Sequence, residues 1–81
     1  MPVVHRFGPY RFYFFSHENR ATGEPPHVHV VSTDGEASFW LSPVAVREYW
    51  GYTPREVARI RRVVLAHREE ILRHWHEFFD A

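Results

Sequence analysis

Two histidines one residue apart, His27 and His29, follow a Pro25-Pro26 pair. Alternate side chains of an extended segment point to the same side, so both imidazoles lie on one strand face, and the prolines stiffen the entry to it. Metal ligation is the first chemistry open to them. Two imidazoles can share a zinc or nickel ion if a third ligand arrives from Glu24, His17 or Glu36 in adjoining loops. Metal-independent cleavage of RNA is the second: His27 and His29 act as acid and base, Arg11 or Arg6 stabilises the phosphate, and Trp40 stacks a base beside Ser38. Solvent-facing histidines that hold nothing are the third.

A second group lies near the C-terminus. His67, Glu70, His74 and Glu77 are three, four and three residues apart, a spacing that lines one flank of a helix. His67, Glu70 and His74 can hold a metal at that spacing, or these side chains can pair with one another. Upstream, Arg55, Arg59 and Arg62 form an exposed helical stripe able to contact phosphates or an acidic partner. The charge order is unusual: Arg55 to Arg68 holds five Arg and one Glu, whereas Glu69 to Asp80 holds four acids and one Arg. One continuous helix would have this order opposed to its dipole, which favours acids first and bases last. A break in the helix removes the conflict. No Ser-His-Asp order, phosphate-binding glycine loop or zinc-finger spacing occurs.

Positioning these groups takes two kinds of element. Val3 to Phe7 and Tyr10 to Phe15 are rich in β-branched and aromatic residues around Gly8-Pro9, which predicts a hairpin pairing Phe7 with Tyr10 and His5 with Phe12. Val3, His5, Phe7, Tyr10, Phe12 and Phe14 then share the core face, and Arg6, Arg11 and Tyr13 the other. Ser16 to Pro26 reads as a loop. A second hairpin joins His27–Ser32 to Glu36–Leu41 through Asp34-Gly35, which sets Val30 opposite Phe39, Val28 opposite Leu41 and His29 opposite Trp40. Val44 to Trp50 fits a strand by alternation, or a short helix capped by Ser42-Pro43. From Thr53 the period changes: Thr53-Pro54-Arg55-Glu56 is a capping box, and Val57, Ile60, Val64, Ile71, Trp75 and Phe78 fall on one helical stripe. An unbroken helix through Phe79 would be roughly 39 Å long against a domain about 30 Å across, so it either breaks near Ala66-His67 or overhangs the sheet. An overhanging aromatic stripe would need a partner.

The composition bounds the rest. Eighty-one residues, 44% hydrophobic and 25% charged, make a single domain over 1–81, with a sheet over 1–50 and a helical region over 53–79. Aromatics at 17% supply large buried area to a small core. The absence of Cys excludes disulfides, thiolate metal sites and cysteine nucleophiles. No run approaches the roughly 18 apolar residues of a membrane span, and no leader opens the chain, so a soluble cytoplasmic protein is expected. Net charge is zero: ten acids balance ten bases, all Arg, beside seven His. With Lys and Gln both missing, codon usage accounts for the arginines, and the zero balance argues against general nucleic-acid affinity while leaving local recognition open. The fold class is α+β: an antiparallel sheet of four to five strands, two β-hairpins first, packed on one face by a long C-terminal helix or helix pair.

The chain resembles a small prokaryotic family, domain of unknown function 4160. The landmarks are Val3-Val4-His5-Arg6-Phe7-Gly8-Pro9-Tyr10-Arg11-Phe12, Glu24-Pro25-Pro26-His27-Val28-His29-Val30, Ala37-Ser38-Phe39-Trp40-Leu41, Gly51-Tyr52-Thr53-Pro54-Arg55-Glu56-Val57 and Trp75-His76-Glu77-Phe78-Phe79. Family members usually carry Lys where this chain has Ser38. The resemblance implies no catalytic residues. It does imply a gene that looks like one half of a two-gene cassette similar to toxin–antitoxin modules. The expected function is therefore a protein-interaction component of such a module, bound to a cognate small protein from a neighbouring gene or self-associated through its C-terminal helix. The alternatives are a toxin-like ribonuclease through His27 and His29, and a small metal-binding domain.

Overall fold

The computed structural model describes residues 3–14 and 25–79. Five strands, β1 (Val3–Phe7), β2 (Tyr10–Tyr13), β3 (His27–Val31), β4 (Glu36–Leu41) and β5 (Val44–Trp50), precede two helices, α1 (Pro54–Ala66) and α2 (Arg68–Phe79). The strands form one antiparallel sheet in the order β1-β2-β3-β4-β5. The expected loop over 16–26, with its candidate ligands His17 and Glu24, lies outside the described residues except for Pro25 and Pro26.

The inner face of the sheet carries Tyr10, Phe12, Phe14, Val28, Val30, Ala37, Phe39, Leu41 and Val44, which pack against Val57, Ile60 and Val64 of α1 and Ile71 and Trp75 of α2. This is the α+β arrangement expected from the strand alternation and the change of period at Thr53.

The first hairpin has the expected register from His5↔Phe12 to Phe7↔Tyr10, with Gly8 at φ +56° in its turn. A bulge between Val3 and His5 then changes the pairing to Val3↔Tyr13. Val3 therefore leaves the core face predicted for it, and Val4 packs against the core instead. Phe7, also expected inside, is exposed at the hairpin end.

The second hairpin is shifted by two residues from the prediction. His27 pairs with Trp40, Val28 with Phe39, His29 with Ser38 and Val30 with Ala37. The turn is Thr33-Asp34, closed by the Ser32 N–H donating to Gly35 O at 3.0 Å. Gly35 lies beyond the turn because the end of β5 crosses it closely: a Cβ there would sit 2.3 Å from Trp50 O. A two-residue shift keeps every side chain on its expected face, so the core survives the misplaced turn.

Val44–Trp50 is a strand rather than a helix, joined to β4 at Leu41↔Val44. At α1, Thr53 Oγ1 accepts from the Glu56 N–H at 3.1 Å, the first half of the expected capping box. The Glu56 carboxylate turns elsewhere. It accepts from the Tyr10 hydroxyl at 2.5 Å and ties the start of β2 to α1. Burial, followed by this hydrogen bond, pushes the Tyr10 phenol up to about 12. Thr53→Ala removes the cap and is expected to cost about 0.5–2 kcal/mol. Urea denaturation checks this; an unchanged midpoint would contradict the capping role.

The helical region breaks at His67, between α1 and α2. Arg68 fastens the break to the sheet by donating to Leu41 O at 2.6 Å and Ser42 Oγ at 2.7 Å. The reversed charge order is thereby resolved, because Glu69 and Glu70 stand in the first turn of α2 and His76 in its last. The aromatic stripe does not overhang. Trp75 is buried against Phe14 at 5.3 Å between ring centroids and Phe79 at 4.1 Å, and only Phe78 of the group is exposed.

Candidate recognition face

With both helices on the inner face, the outer face is built by cross-strand rows that the registers define. One row runs Arg6, Arg11, Val31, Glu36 and Trp50 from β1 to β5; the next runs Val3, Tyr13, His29, Ser38 and Glu48; the third joins His27, Trp40 and Ala45. A bulge in β5 between the partners of Ser38 and Phe39 leaves Arg47 outside the regular pairing.

That bulge aims Arg47 onto this face. Its guanidinium lies 5.4 Å from the Trp40 ring centroid and donates to Ser38 Oγ at 3.3 Å and to Glu48 Oε1 at 3.0 Å. β5 thus supplies a cation beside Ser38. Nothing in the sequence singles out Arg47, since the alternation of Val44–Trp50 does not signal a bulge. Tyr13 and Glu36 also contribute more than their sequence context suggests. The Tyr13 ring stacks on His29 at 6.1 Å and 20°, and the Glu36 carboxylate lies 3.9 Å from His29 Nδ1. Burial pushes the Tyr13 phenol up; the Glu36 charge adds to this, and Arg11 opposes it.

His27 and His29 have different surroundings. Their rings are 5.3 Å apart, as alternation requires. His27 is 0% exposed: its Nδ1 is 2.9 Å from Pro25 O, and its ring lies 5.3 Å from Trp75 and 5.6 Å from Trp40. It joins the outer face to the end of α2 and has no surface for a substrate. His29 is nearly as buried but is flanked by Tyr13, Glu36 and Ser38. Ser38 is buried beneath Arg47, and Trp40 is half-buried.

Two clefts open on this face. Glu36, Ser38, Glu48 and Trp50 help line one of about 160 Å³ at the β4–β5 end, and Val3, Arg11, Tyr13 and Val31 line one of about 290 Å³ at the β1–β3 end. Trp50 is 67% exposed. Arg6, Arg11 and Arg47 against Glu36 and Glu48 leave a charge of +1 (three minus two) on the face. Such a face suits contact with one or two phosphates and not a long polyanion.

The helical candidates separate. Arg55, Arg59 and Arg62 are exposed on α1, away from the sheet rows. His74 pairs with Glu77 at 3.7 Å, while the break carries His67 and Glu70 to β1. There the His5 ring lies 4.1 Å from that of His67 and 5.5 Å from Phe12, with its Nδ1 3.9 Å from Glu70. Among the described residues no three His, Cys, Asp or Glu side chains converge as a metal site requires.

Burial, then the neighbouring His67, holds the His5 imidazole below its ordinary value of 6.5, against a smaller pull from Glu70. Its neutral form is therefore favoured by folding. The associated stability is fully present above pH 6.5 and is lost as the pH falls through the lower folded value. The melting temperature should fall between pH 7.5 and pH 5 by more in wild type than in His5→Leu; equal slopes would contradict this role for His5.

A family model described as Domain of unknown function (DUF4160) matches residues 10–76. No curated protein and no solved structure matches the chain. No helix among the described residues is long and apolar enough to cross a membrane.

Proposed function

The chain belongs to the DUF4160 family, and from that premise, which assigns no activity, we propose that it recognises short single-stranded RNA on the outer face of its sheet. The observation that carries this reading is the array of Tyr13, Trp40 and Trp50 interleaved with Arg6, Arg11 and Arg47 on a sheet face that neither helix occupies. Single-stranded bases are recognised by stacking on aromatic rings and guanidinium planes, with cations on the backbone. Glu36 and Glu48 add acceptors suited to base amino groups. An RNA-binding component also fits the toxin-like half of the two-gene module that the family resemblance implies.

Anisotropy titration of a labelled ribohexanucleotide tests the reading. Two or three phosphate contacts predict a log K against log salt slope of about −1.4 to −2.1. No binding at low salt would overturn it. A slope several times steeper would transfer the binding to the α1 arginines.

The His29–Glu36 approach supports a catalytic form of the same reading. His29 then serves as the acid–base group oriented by Glu36, Arg47 and Arg11 stabilise the phosphate, and His27 packs the core. His29→Ala should abolish RNA cleavage in a protein that still folds, with a lowered melting temperature; full activity in that variant sinks this form. For a cognate protein partner, exposed apolar side chains are available on β5, at Val46 and Tyr49, and on the helices, at Leu65 and Phe78. A solution mass that stays monomeric in the presence of the neighbouring gene product counts against that partner.

A further inference from the structure

We infer that Arg6 and Arg11 form a subsite for the terminal phosphomonoester of a nucleotide, with Tyr13, Val3 and Val31 seating the attached sugar or base. The inference rests on the RNA-recognition reading and specifies which part of the strand the β1–β3 end of the face takes.

Arg6 and Arg11 are direct cross-strand partners. Like charges in that position destabilise a sheet, and both side chains are exposed on the same face. Among the described residues neither makes an ion pair, in contrast to Arg47, which has Glu48 at 3.0 Å. The nearest carboxylate along their row, Glu36, is separated from Arg11 by Val31 and lies near His29. A dianion placed between the two guanidiniums converts the repulsion into two charge-assisted contacts, and planar guanidinium suits a phosphate's paired oxygens. A terminal phosphomonoester carries close to two negative charges near neutral pH, whereas an internal phosphodiester carries one. The pair thus favours the end of a strand over its interior.

The surroundings fit a nucleotide better than an inorganic ion. The cleft of about 290 Å³ that Arg11 shares with Val3, Tyr13 and Val31 has two apolar walls and an aromatic ring. The β1 bulge is what brings Val3 there, since regular pairing would have left it on the core side. A phosphate at the arginines places the group it esterifies in the cleft, and the remaining strand can then run along the row toward Trp50.

The source of the phosphomonoester, a strand end or a free nucleotide, is separated by titrating four ligands: one ribohexanucleotide with a 5′-phosphate, with a 3′-phosphate and with neither, and adenosine 5′-monophosphate. At least one phosphorylated strand should bind about tenfold or more tightly than the unphosphorylated one, and Arg11→Gln and Arg6→Gln should each remove most of that difference. Without ligand, each variant should melt at or above the wild-type temperature. Equal binding of all three strands overturns the subsite and leaves the RNA reading standing. Mononucleotide binding that depends on Arg11, without strand binding, supports the subsite and overturns the RNA reading. Binding of none overturns both. A clear loss of ligand-free stability in both variants overturns the subsite, because the arginines would then be structural.

Discussion

Trp75→Ala is expected to lower the melting temperature by on the order of 20 °C. Truncating a buried Trp costs about 3–5 kcal/mol through lost burial and the cavity left behind. A chain of 81 residues has a total stability of about 4–12 kcal/mol, so this one side chain carries a large share of it. Trp75 is 2% exposed and sits where three segments meet: Phe14 just after β2, His27 at the start of β3, and Phe79 one turn further along α2. Its loss would also leave His27 without its cover from the helix. Thermal unfolding followed by circular dichroism reads the effect, and Trp75→Phe should recover part of it. A decrease of only a few degrees in Trp75→Ala would mean that α2 does not anchor the sheet as described.

Trp40→Ala should weaken RNA binding about 5- to 150-fold, equivalent to the roughly 1–3 kcal/mol of one base stack. The ring is half-buried on the outer face, carries the Arg47 guanidinium 5.4 Å from its centroid, and borders His27. Its removal takes away a stacking surface and the platform that orients Arg47. Trp40→Phe, which keeps an aromatic face, should retain most of the affinity, and Arg55→Ala on α1 should retain all of it. Unchanged binding in a folded Trp40→Ala protein would remove the third row from the site.

Most of the fold is legible in short-range pattern. Alternation places the strands and their faces, and Thr53-Pro54-Arg55-Glu56 marks the start of α1. The errors arise where distant segments meet. Asp34-Gly35 is a strong local turn signal, yet Gly35 serves the close passage of Trp50 and Gly51, a contact fifteen residues away. No Gly or Pro announces the break at His67; what stabilises it is Arg68 reaching Leu41 and Ser42 on the sheet. For the same reason the site is only half legible. His29, Trp40, Ser38 and Arg11 occupy the predicted face because alternation determines faces. Arg47 depends on a bulge, and the burial of His27 depends on Trp75, 48 residues further along the chain. The joint use of Tyr13, His29 and Ser38 depends on the shifted register, which puts them in one row.

The chain has three tryptophans, Trp40, Trp50 and Trp75, and their indole N–H signals distinguish the surfaces at issue. In a nitrogen-15 NMR titration with a ribohexanucleotide, Trp40 and Trp50 should shift with the backbone amides of Arg11, Tyr13, Ser38 and Arg47, while Trp75 and the amides of Arg55, Arg59 and Arg62 stay in place. Shifts confined to α1, or no shifts at all, would contradict recognition of RNA by the outer face of the sheet.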